Sequence, residues 1–211
     1  MCLPLESARF HVAPGRVAAS RDFDAALTTL VAAFDEDPVW GGWAFPEDSR
    51  AAQHRRELFA LWLREAMPLE SVRVVDDCAA VALWYPPGSA GDSESCRAEL
   101  QAFATRLGSH AEAFLRGSEM FAATQPEGQF WYLALLAVRP SDRGRGLGMG
   151  LLRSCLGSAE FQGVPTYLES THPANTPRYQ KLGFADLGAF RLPDGPSVTR
   201  LWREAGAATN I

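Results

Sequence analysis

The chain has 211 residues, of which 47% are hydrophobic and 21% are charged, and its formal net charge is −5. This composition is typical of a globular protein, and the length makes one domain over residues 1–211 the default. The acidic balance disfavours a general nucleic-acid binder, which needs a basic face, and we find no apolar run long enough to cross a bilayer.

The first half of the chain predicts one strand, two helices and a hairpin. Apolar residues recur at helical spacing after Ser20 until Pro38 ends the helix, and Asp76 and Asp77 lie at the turn of the hairpin. The predicted elements are a strand at 8–13, helices within 20–37 and 49–67, and hairpin strands at 72–75 and 79–85.

The second half alternates helices with apolar strands. Residues 129–138 are nearly all apolar, as expected of a strand that is buried on both faces. The predicted elements are helices within 92–124 with a break near Gly108, a strand at 129–138, a helix from about Gly146 to Phe161, a strand at 165–170, a short helix within 175–184, and strands at 185–192 and 197–203. This order predicts an α/β (α+β) fold with a central, mixed but mostly antiparallel sheet of six to seven strands flanked by helices.

Cysteines and histidines do not form a metal or disulfide pattern. The four cysteines are widely spaced without C-x-x-C, the four histidines are scattered, and H-E-x-x-H is absent. The first residues lack the basic and apolar regions of a signal peptide. We therefore expect a cytoplasmic protein without a metal, and without a nucleic-acid or membrane partner.

A glycine-rich loop follows the apolar strand at 129–138. In "AVRPSDRGRGLGMGLL", glycines occupy positions 144, 146, 148 and 150, with Arg143 and Arg145 between the strand and the next helix. The first amides of a helix have no partner in the helix, and its dipole attracts anions. Glycines allow a ligand close to the backbone, so the loop predicts a phosphate site.

The spacing of this loop excludes two common phosphate motifs. The Rossmann pattern G-x-G-x-x-G fails at Met149 when it starts at Gly144 and at Leu151 when it starts at Gly146. A P-loop requires G-K-[ST], and the only lysine is Lys181. The pattern present is R-x-x-G-x-G, formed by Arg143, Gly146 and Gly148; the alternative is a structural turn without a ligand.

R-x-x-G-x-G after an apolar strand resembles the pyrophosphate loop of the GNAT superfamily of acyl-CoA-dependent N-acyltransferases. The stretch "PTYLESTHPANTPRYQKLGF" is similar to the later strand, Asn and Tyr-x-x-x-Gly-Phe segment of the same superfamily. "AFDEDPVWGGWAFPED" and "FWYLALLAVRPSDRGRGLGMGLL" resemble the branch that contains puromycin N-acetyltransferase. A shared substrate does not follow from such a resemblance.

The resemblance implies that acetyl-CoA lies between two splayed middle strands, at 130–138 and 165–169. Its pantetheine amides would pair with the backbone at Leu136, Ala137 and Val138. The diphosphate would lie on the loop. The cofactor residues implied are Leu136, Ala137, Val138, Arg143, Gly144, Arg145, Gly146, Leu147, Gly148 and Asn175. For Asn175 the alternative is a helix N-cap before Thr176.

Two residues are the catalytic candidates. Tyr179 matches the superfamily's general-acid tyrosine, which would protonate the leaving thiolate; the alternative is a tyrosine that only packs. Many relatives carry a glutamate on the strand before the loop, and "FWYLALLAV" has no carboxylate. Glu169 is therefore the first candidate base, Glu36 and Asp37 are further candidates, and catalysis without a dedicated base stays open.

The loop "DEDPVWGGWAFPED" places carboxylates beside aromatic side chains, which suits a cation with an apolar or planar body. Glu36, Asp37, Trp40 and Trp43 are the substrate-binding candidates, and the alternative is that the aromatic rings pack the helices. The expected reaction is acetyl transfer to the primary amine of a small molecule by a monomer or homodimer. A protein N-acetyltransferase and a non-catalytic acyl-CoA sensor are the alternative functions; the helices at 92–124 favour a narrower site than a peptide groove.

Overall fold

A computed structural model describes residues 15–46, 49–89 and 94–207. The strand predicted at 8–13 lies outside these ranges. The strands are β1 Arg16–Val17, β2 Val72–Val75, β3 Ala80–Tyr85, β4 Trp131–Val138, β5 Thr166–Ser170, β6 Ala185–Arg191 and β7 Ser197–Arg203. The α-helices are α1 Phe23–Ala33, α2 Ala51–Ala66, α3 Glu94–Ala104, α4 Ala111–Ala123, α5 Leu147–Gly157, α6 Ala159–Gln162 and α7 Thr176–Gln180.

The strands form one sheet in the order β1-β2-β3-β4-β5-β7-β6. Every neighbouring pair is antiparallel except β4 and β5, which run parallel. The predicted mixed, mostly antiparallel sheet of six to seven strands is therefore confirmed. The chain crosses from β4 to β5 through α5 and α6, which a parallel connection requires.

Helices cover both faces of the sheet. On the first face, α1 and α2 pack side chains such as Leu30 and Leu58 against Leu83 of β3. On the second face, Leu151 of α5 and Phe161 of α6 pack against the other side of the sheet. Because each fully buried large apolar side chain contributes about 1.5–3 kcal/mol, burial on both faces explains the continuous apolar runs of β3 and β4.

β4 and β5 pair over a short length only. Their paired residues end at Leu133 opposite Leu168, so the rest of β4 has no strand beside it on that side. On its other side β4 stays paired with β3, where a register shift at Leu83/Trp84 leaves Ala134 as an extra residue. The two strands therefore separate beyond Leu133, as the resemblance implies, and their separation opens a cleft.

The predicted break in the helical stretch at 92–124 is confirmed. A 3₁₀ segment, Thr105–His110, separates α3 from α4, and Gly108 within it has φ of +56°. No helix in the described ranges is both long and apolar enough to cross a membrane.

Trp43 joins α4 to the turn between β6 and β7. Its indole N–H donates to the carbonyl of Pro193 (2.8 Å), and its ring lies between Gly117 of α4 and Gly195 of the turn. A Cβ built on Gly117 would approach the ring to 2.3 Å, and one on Gly195 to 2.4 Å. Both glycines are therefore required by the close approach of the indole ring.

We predict that Gly117→Ala destabilises the protein although alanine is the better helix former. The gain in helix propensity is about 1 kcal/mol, whereas forcing a methyl group into a ring held on both sides costs about 1–3 kcal/mol. The net loss is expected to be up to about 2 kcal/mol in the free energy of unfolding, measured by urea denaturation.

The matched control is Gly157→Ala at the end of α5, where an added Cβ meets nothing within 4 Å. This variant is expected to be slightly more stable than the parent, by about 0.4–1 kcal/mol. A similar gain in the free energy of unfolding for Gly117→Ala would show that the Trp43 ring moves away from the added methyl group and is not fixed in its position.

Candidate functional site

The separation of β4 and β5 forms a cleft of about 780 Å³. Its walls come from the second half of β4, the glycine loop, the first turns of α5, the end of α1 and the segment that contains α7. The cleft brings together most of the predicted cofactor and catalytic residues: Leu136, Ala137, Val138, Arg143, Gly144, Gly146, Leu147, Gly148, Asn175 and Tyr179, together with Glu36 and Asp37.

The glycine loop is shaped to receive a ligand against its backbone. Gly144 and Gly146 have φ of +82° and +75°, and a Cβ on either would meet no atom within 4 Å. The first helical bond of α5 runs from the Gly150 N–H to the Gly146 carbonyl (2.9 Å). The amides of Leu147 and Gly148 therefore have no acceptor within the helix and remain available for an anion.

The two arginines of the loop have different surroundings. Arg143 lines the cleft, donates to the Ala33 carbonyl at the end of α1 (3.0 Å) and lies 3.9 Å from the Glu36 carboxylate. The Arg145 side chain forms an ion pair with Asp142 in the same loop. Glu36, predicted near the substrate amine, thus lies at the glycine-loop end of the cleft, which weakens it as a candidate base.

Three further cations line the cleft and were not predicted. They are Arg153 of α5, Arg178 of α7, and Lys181 just after α7. Arg178 and Lys181 are three residues apart, a spacing that places two side chains on one helix face and that could have suggested them. A cluster of cations around a cleft in a chain of net charge −5 suits a ligand with several phosphate groups.

Asn175 and Tyr179 both contribute from the α7 segment. Asn175 precedes α7 without a capping hydrogen bond from its side chain, and its Oδ1 instead accepts from Arg178 (3.3 Å). The ring of Tyr179 packs beside Phe184, and the residue lines the cleft. Burial, followed by the nearby charge of Asp37, raises the pKa of Tyr179 to about 12. Its hydroxyl is therefore protonated at neutral pH.

Asp37 connects the loop after α1 to the end of β5. Its Oδ1 accepts from the amides of Val39 and Trp40 (both 2.9 Å), which begin the short π-helix Pro38–Trp43. Its Oδ2 accepts from the Thr171 hydroxyl (2.6 Å). The carboxylate therefore holds the aromatic loop beside the strand that carries Glu169.

Glu169 lies one residue beyond Leu168, the last position of β5 that is paired with β4. It is on the sheet face that α1 and α2 cover. Its Oε1 is buried without a hydrogen-bond partner. Burial raises the pKa of Glu169 to about 7, although the neighbouring hydroxyls of Tyr132 and Tyr167 partly favour the ionised form. A carboxyl group that gains and loses a proton near neutral pH fits the predicted role of general base.

Trp40 and Trp43, both predicted to bind substrate, have different roles in the fold. Trp43 is held by Pro193 and the two glycines described above, so its packing explains it without a ligand. Trp40 is half-buried and lies against Trp62 and Phe121, with ring centroids 5.1 and 5.7 Å away. Neither Trp40 nor Trp43 is among the residues that line the cleft.

The described part of the chain contains no group of three or more His, Cys, Asp or Glu side chains arranged to hold a metal ion. The three cysteines within it, Cys78, Cys96 and Cys155, are buried.

Comparison with known proteins agrees with this geometry. The model of the acetyltransferase (GNAT) family matches residues 94–184, which include the β4–α5 loop and the α7 segment. An uncharacterized N-acetyltransferase of Schizosaccharomyces pombe is 27% identical over 176 residues, covering 78% of this chain and 71% of the relative. These matches make the chain similar to GNAT acetyltransferases and support an acyltransferase enzyme.

Solved structures share the fold. A protein described as histone acetyltransferase HPA2 and related acetyltransferase, from Corynebacterium glutamicum, superimposes with a TM-score of 0.67 at 24% identity over 93% of this chain and 99% of its own. A polyamine N-acetyltransferase of Drosophila melanogaster that forms N-acetylagmatine gives 0.61 at 17% identity, over 90% and 98%. At these identities the likeness establishes the fold alone.

We predict that Glu169→Gln stabilises the protein at pH 8 and not at pH 5. The folded-state pKa of Glu169 lies above its ordinary value, so the folded protein binds more protons than the unfolded chain between those two values. The parent therefore loses stability as pH rises through about 7, and the amide variant does not. At pH 8 its melting temperature should be higher by at least 2–4 °C, roughly the shift that 1 kcal/mol produces in a chain of this size.

Glu99→Gln on the exposed face of α3 is the control and should leave the melting temperature unchanged at both pH values. An equal gain in melting temperature for Glu169→Gln at pH 5 and pH 8 would show that the charge of the buried Glu169 carboxylate is not the cause of the destabilisation.

Proposed function

We propose that the protein is an acetyl-CoA-dependent N-acetyltransferase that transfers the acetyl group to the primary amine of a small molecule in a ternary complex. One observation carries this proposal. The cleft where β4 and β5 separate is lined by the glycine loop and Tyr179, and Glu169, whose pKa is raised to about 7, lies on β5 one residue past the last position paired with β4. This arrangement suits a thioester held in the cleft and an amine that approaches from the opposite sheet face.

The residues of the cleft fit coenzyme A. The open space above Gly144 and Gly146 and the free amides of α5 suit the diphosphate. Arg143 at the mouth, and the cations of α5 and the α7 segment, suit its further negative charge. The second half of β4 offers backbone groups that could pair with the pantetheine amides, as an added strand does. Acetyl-CoA supplies the activated acetyl group.

Glu169 and Tyr179 divide the proton transfers. An alkyl ammonium has a pKa of roughly 10, so Glu169 in its ionised form first accepts a proton from it and passes that proton to solvent. The nitrogen then forms its bond to the acetyl carbon as the carbon–sulfur bond breaks and the electron pair leaves with sulfur. The second nitrogen proton balances the proton that Tyr179 gives to the thiolate, and one proton is released overall.

Two features support a small acceptor. The helices α3 and α4 and the segment between them pack on the same face as α1 and α2, which is the face on which Glu169 lies. Proteins of the same fold include enzymes described as acting on agmatine and on arylalkylamines. Kinship with the puromycin N-acetyltransferase branch, a single domain over residues 1–211, a monomeric or homodimeric state and a cytoplasmic location stay predictions.

The glycine loop is tested by coenzyme A binding. Gly146→Ala places a methyl group at φ of +75°, in the space assigned to the diphosphate, so we expect the dissociation constant measured by calorimetry to rise at least 10-fold. Gly157→Ala at the other end of α5 is the control and should bind normally. Unchanged binding by a folded Gly146→Ala protein would place the diphosphate elsewhere.

Tyr179→Phe tests both the reaction and the general acid. We expect the parent to release thiol from acetyl-CoA with primary amines, and the variant to lose about 10²-fold or more in kcat while binding coenzyme A normally. Full turnover by the variant across pH would remove Tyr179 from the mechanism.

The same thiol assay separates the alternative functions. Release with peptides and not with small amines would indicate a protein N-acetyltransferase. Measurable coenzyme A binding without release to either panel would indicate an acyl-CoA sensor.

A further inference from the structure

The three acids of the loop after α1 are engaged by the protein itself. Asp35 forms an ion pair with Arg55, a buried side chain of α2 that also donates to the Phe34 carbonyl (3.1 Å). The Glu36 carboxylate lies 3.9 Å from the Arg143 guanidinium. The Asp37 carboxylate accepts hydrogen bonds from the amides of Val39 and Trp40 and from the Thr171 hydroxyl, as described above. These acids therefore do not form a free anionic surface for a multiply charged substrate.

Glu169 differs from these acids in its surroundings. Its buried Oε1 makes no hydrogen bond to the described part of the chain, and Glu169 is absent from the ion pairs found there. Glu65, further along the same face, already accepts from the Tyr85 hydroxyl (3.4 Å). Of these five described acids, Glu169 is the one whose carboxylate is left to neutralise a substrate ammonium.

A fixed cation lies beside Glu169. Arg200 of β7 is its cross-strand neighbour and is held by the carbonyls of Thr124 (3.3 Å) and Leu187 (2.6 Å). The guanidinium group is therefore anchored close to Glu169 without forming a salt bridge to it. A second positive charge on a substrate near this position would be repelled.

A row of half-buried aromatic rings lies between α2 and β6. Trp62, Trp40, Phe121 and Phe190 follow one another from α2 to β6, with centroid separations of 5.1, 5.7 and 5.2 Å. The link from Trp40 through Asp37 to Thr171 keeps this row beside the end of β5. Aromatic side chains of this kind offer contact to an apolar or planar body.

We propose that the acceptor is a primary monoamine with an aromatic or apolar body, with its one ammonium on Glu169 and its body on the Trp40–Phe121 rings, and that diamines are selected against. This inference rests on the proposed acetyltransferase function and narrows its substrate. The selectivity follows from one available carboxylate, one fixed cation and a continuous aromatic row.

The test compares kcat/KM for substrates that differ in one feature. Pentylamine and 1,5-diaminopentane differ by a terminal ammonium, and we expect the monoamine to be favoured at least 10-fold at pH 8. 2-Phenylethylamine should exceed propylamine by at least 10-fold. Equal or better use of 1,5-diaminopentane would overturn the proposal, whereas failure of every amine would contradict the proposed acetyl transfer to small amines itself.

Two variants examine the cause of the selectivity. Trp40→Leu should lower the ratio of 2-phenylethylamine to propylamine by about 5-fold or more, because the aromatic contact is lost. Arg200→Gln should raise the ratio of 1,5-diaminopentane to pentylamine, because the repelling charge is removed. Both kcat/KM values of a ratio are measured on the same protein preparation. Partial unfolding of a variant lowers both values equally and therefore leaves their ratio unchanged. Unchanged ratios in both variants would show that these residues do not contact the acceptor.

Discussion

The parting of β4 and β5 is the constraint on which the site depends. Parallel strands gain hydrogen bonds only while they run side by side, and here the paired positions end at Leu133 and Leu168. β4 keeps its partner β3 on the other side, with an extra residue at Ala134, so the sheet stays intact while the cleft opens. The unpaired part of β4 and the glycine loop line that opening, and Glu169 is the first residue of β5 beyond its pairing with β4.

Acidic side chains hold the loop after α1 in place. Because they already have partners in the protein, they are not available to bind a substrate cation. The Arg55 guanidinium, nearly inaccessible to solvent, gathers carbonyls and the Asp35 carboxylate around the end of α1. Asp37 begins the next helical turn and ties it to Thr171. A run of acids that resembles a ligand surface in the sequence is therefore largely structural, and the proposed discrimination among substrates rests on Glu169 and the aromatic rings.

The two groups proposed to transfer protons lie in different environments. Burial raises the pKa of both Glu169 and Tyr179, but from different ordinary values, so that at neutral pH the carboxyl group titrates and the phenol remains protonated. The same physical cause thus gives one group suited to accept a proton and another suited to donate one. The chain carries both on consecutive segments, ten residues apart.

Local patterns were sufficient for much of this protein. The apolar run of β4, the glycine spacing after it and the break at Gly108 predicted the elements and the phosphate loop, because periodicity and backbone conformation depend on near neighbours in the chain. The resemblance added Tyr179 and Asn175, and both line the cleft.

The tertiary structure alone decided which side chains remain available. Trp43 is enclosed by Gly117 and Gly195, which lie 74 and more residues further along the chain, and Arg145 is paired with Asp142. Glu36 lies at the glycine-loop end of the cleft, while Arg200 lies beside Glu169 only through the β5–β7 register. Sequence shows which residues can carry charge or an aromatic ring, but whether a partner already occupies them depends on contacts between distant segments, and these exist only in the folded chain.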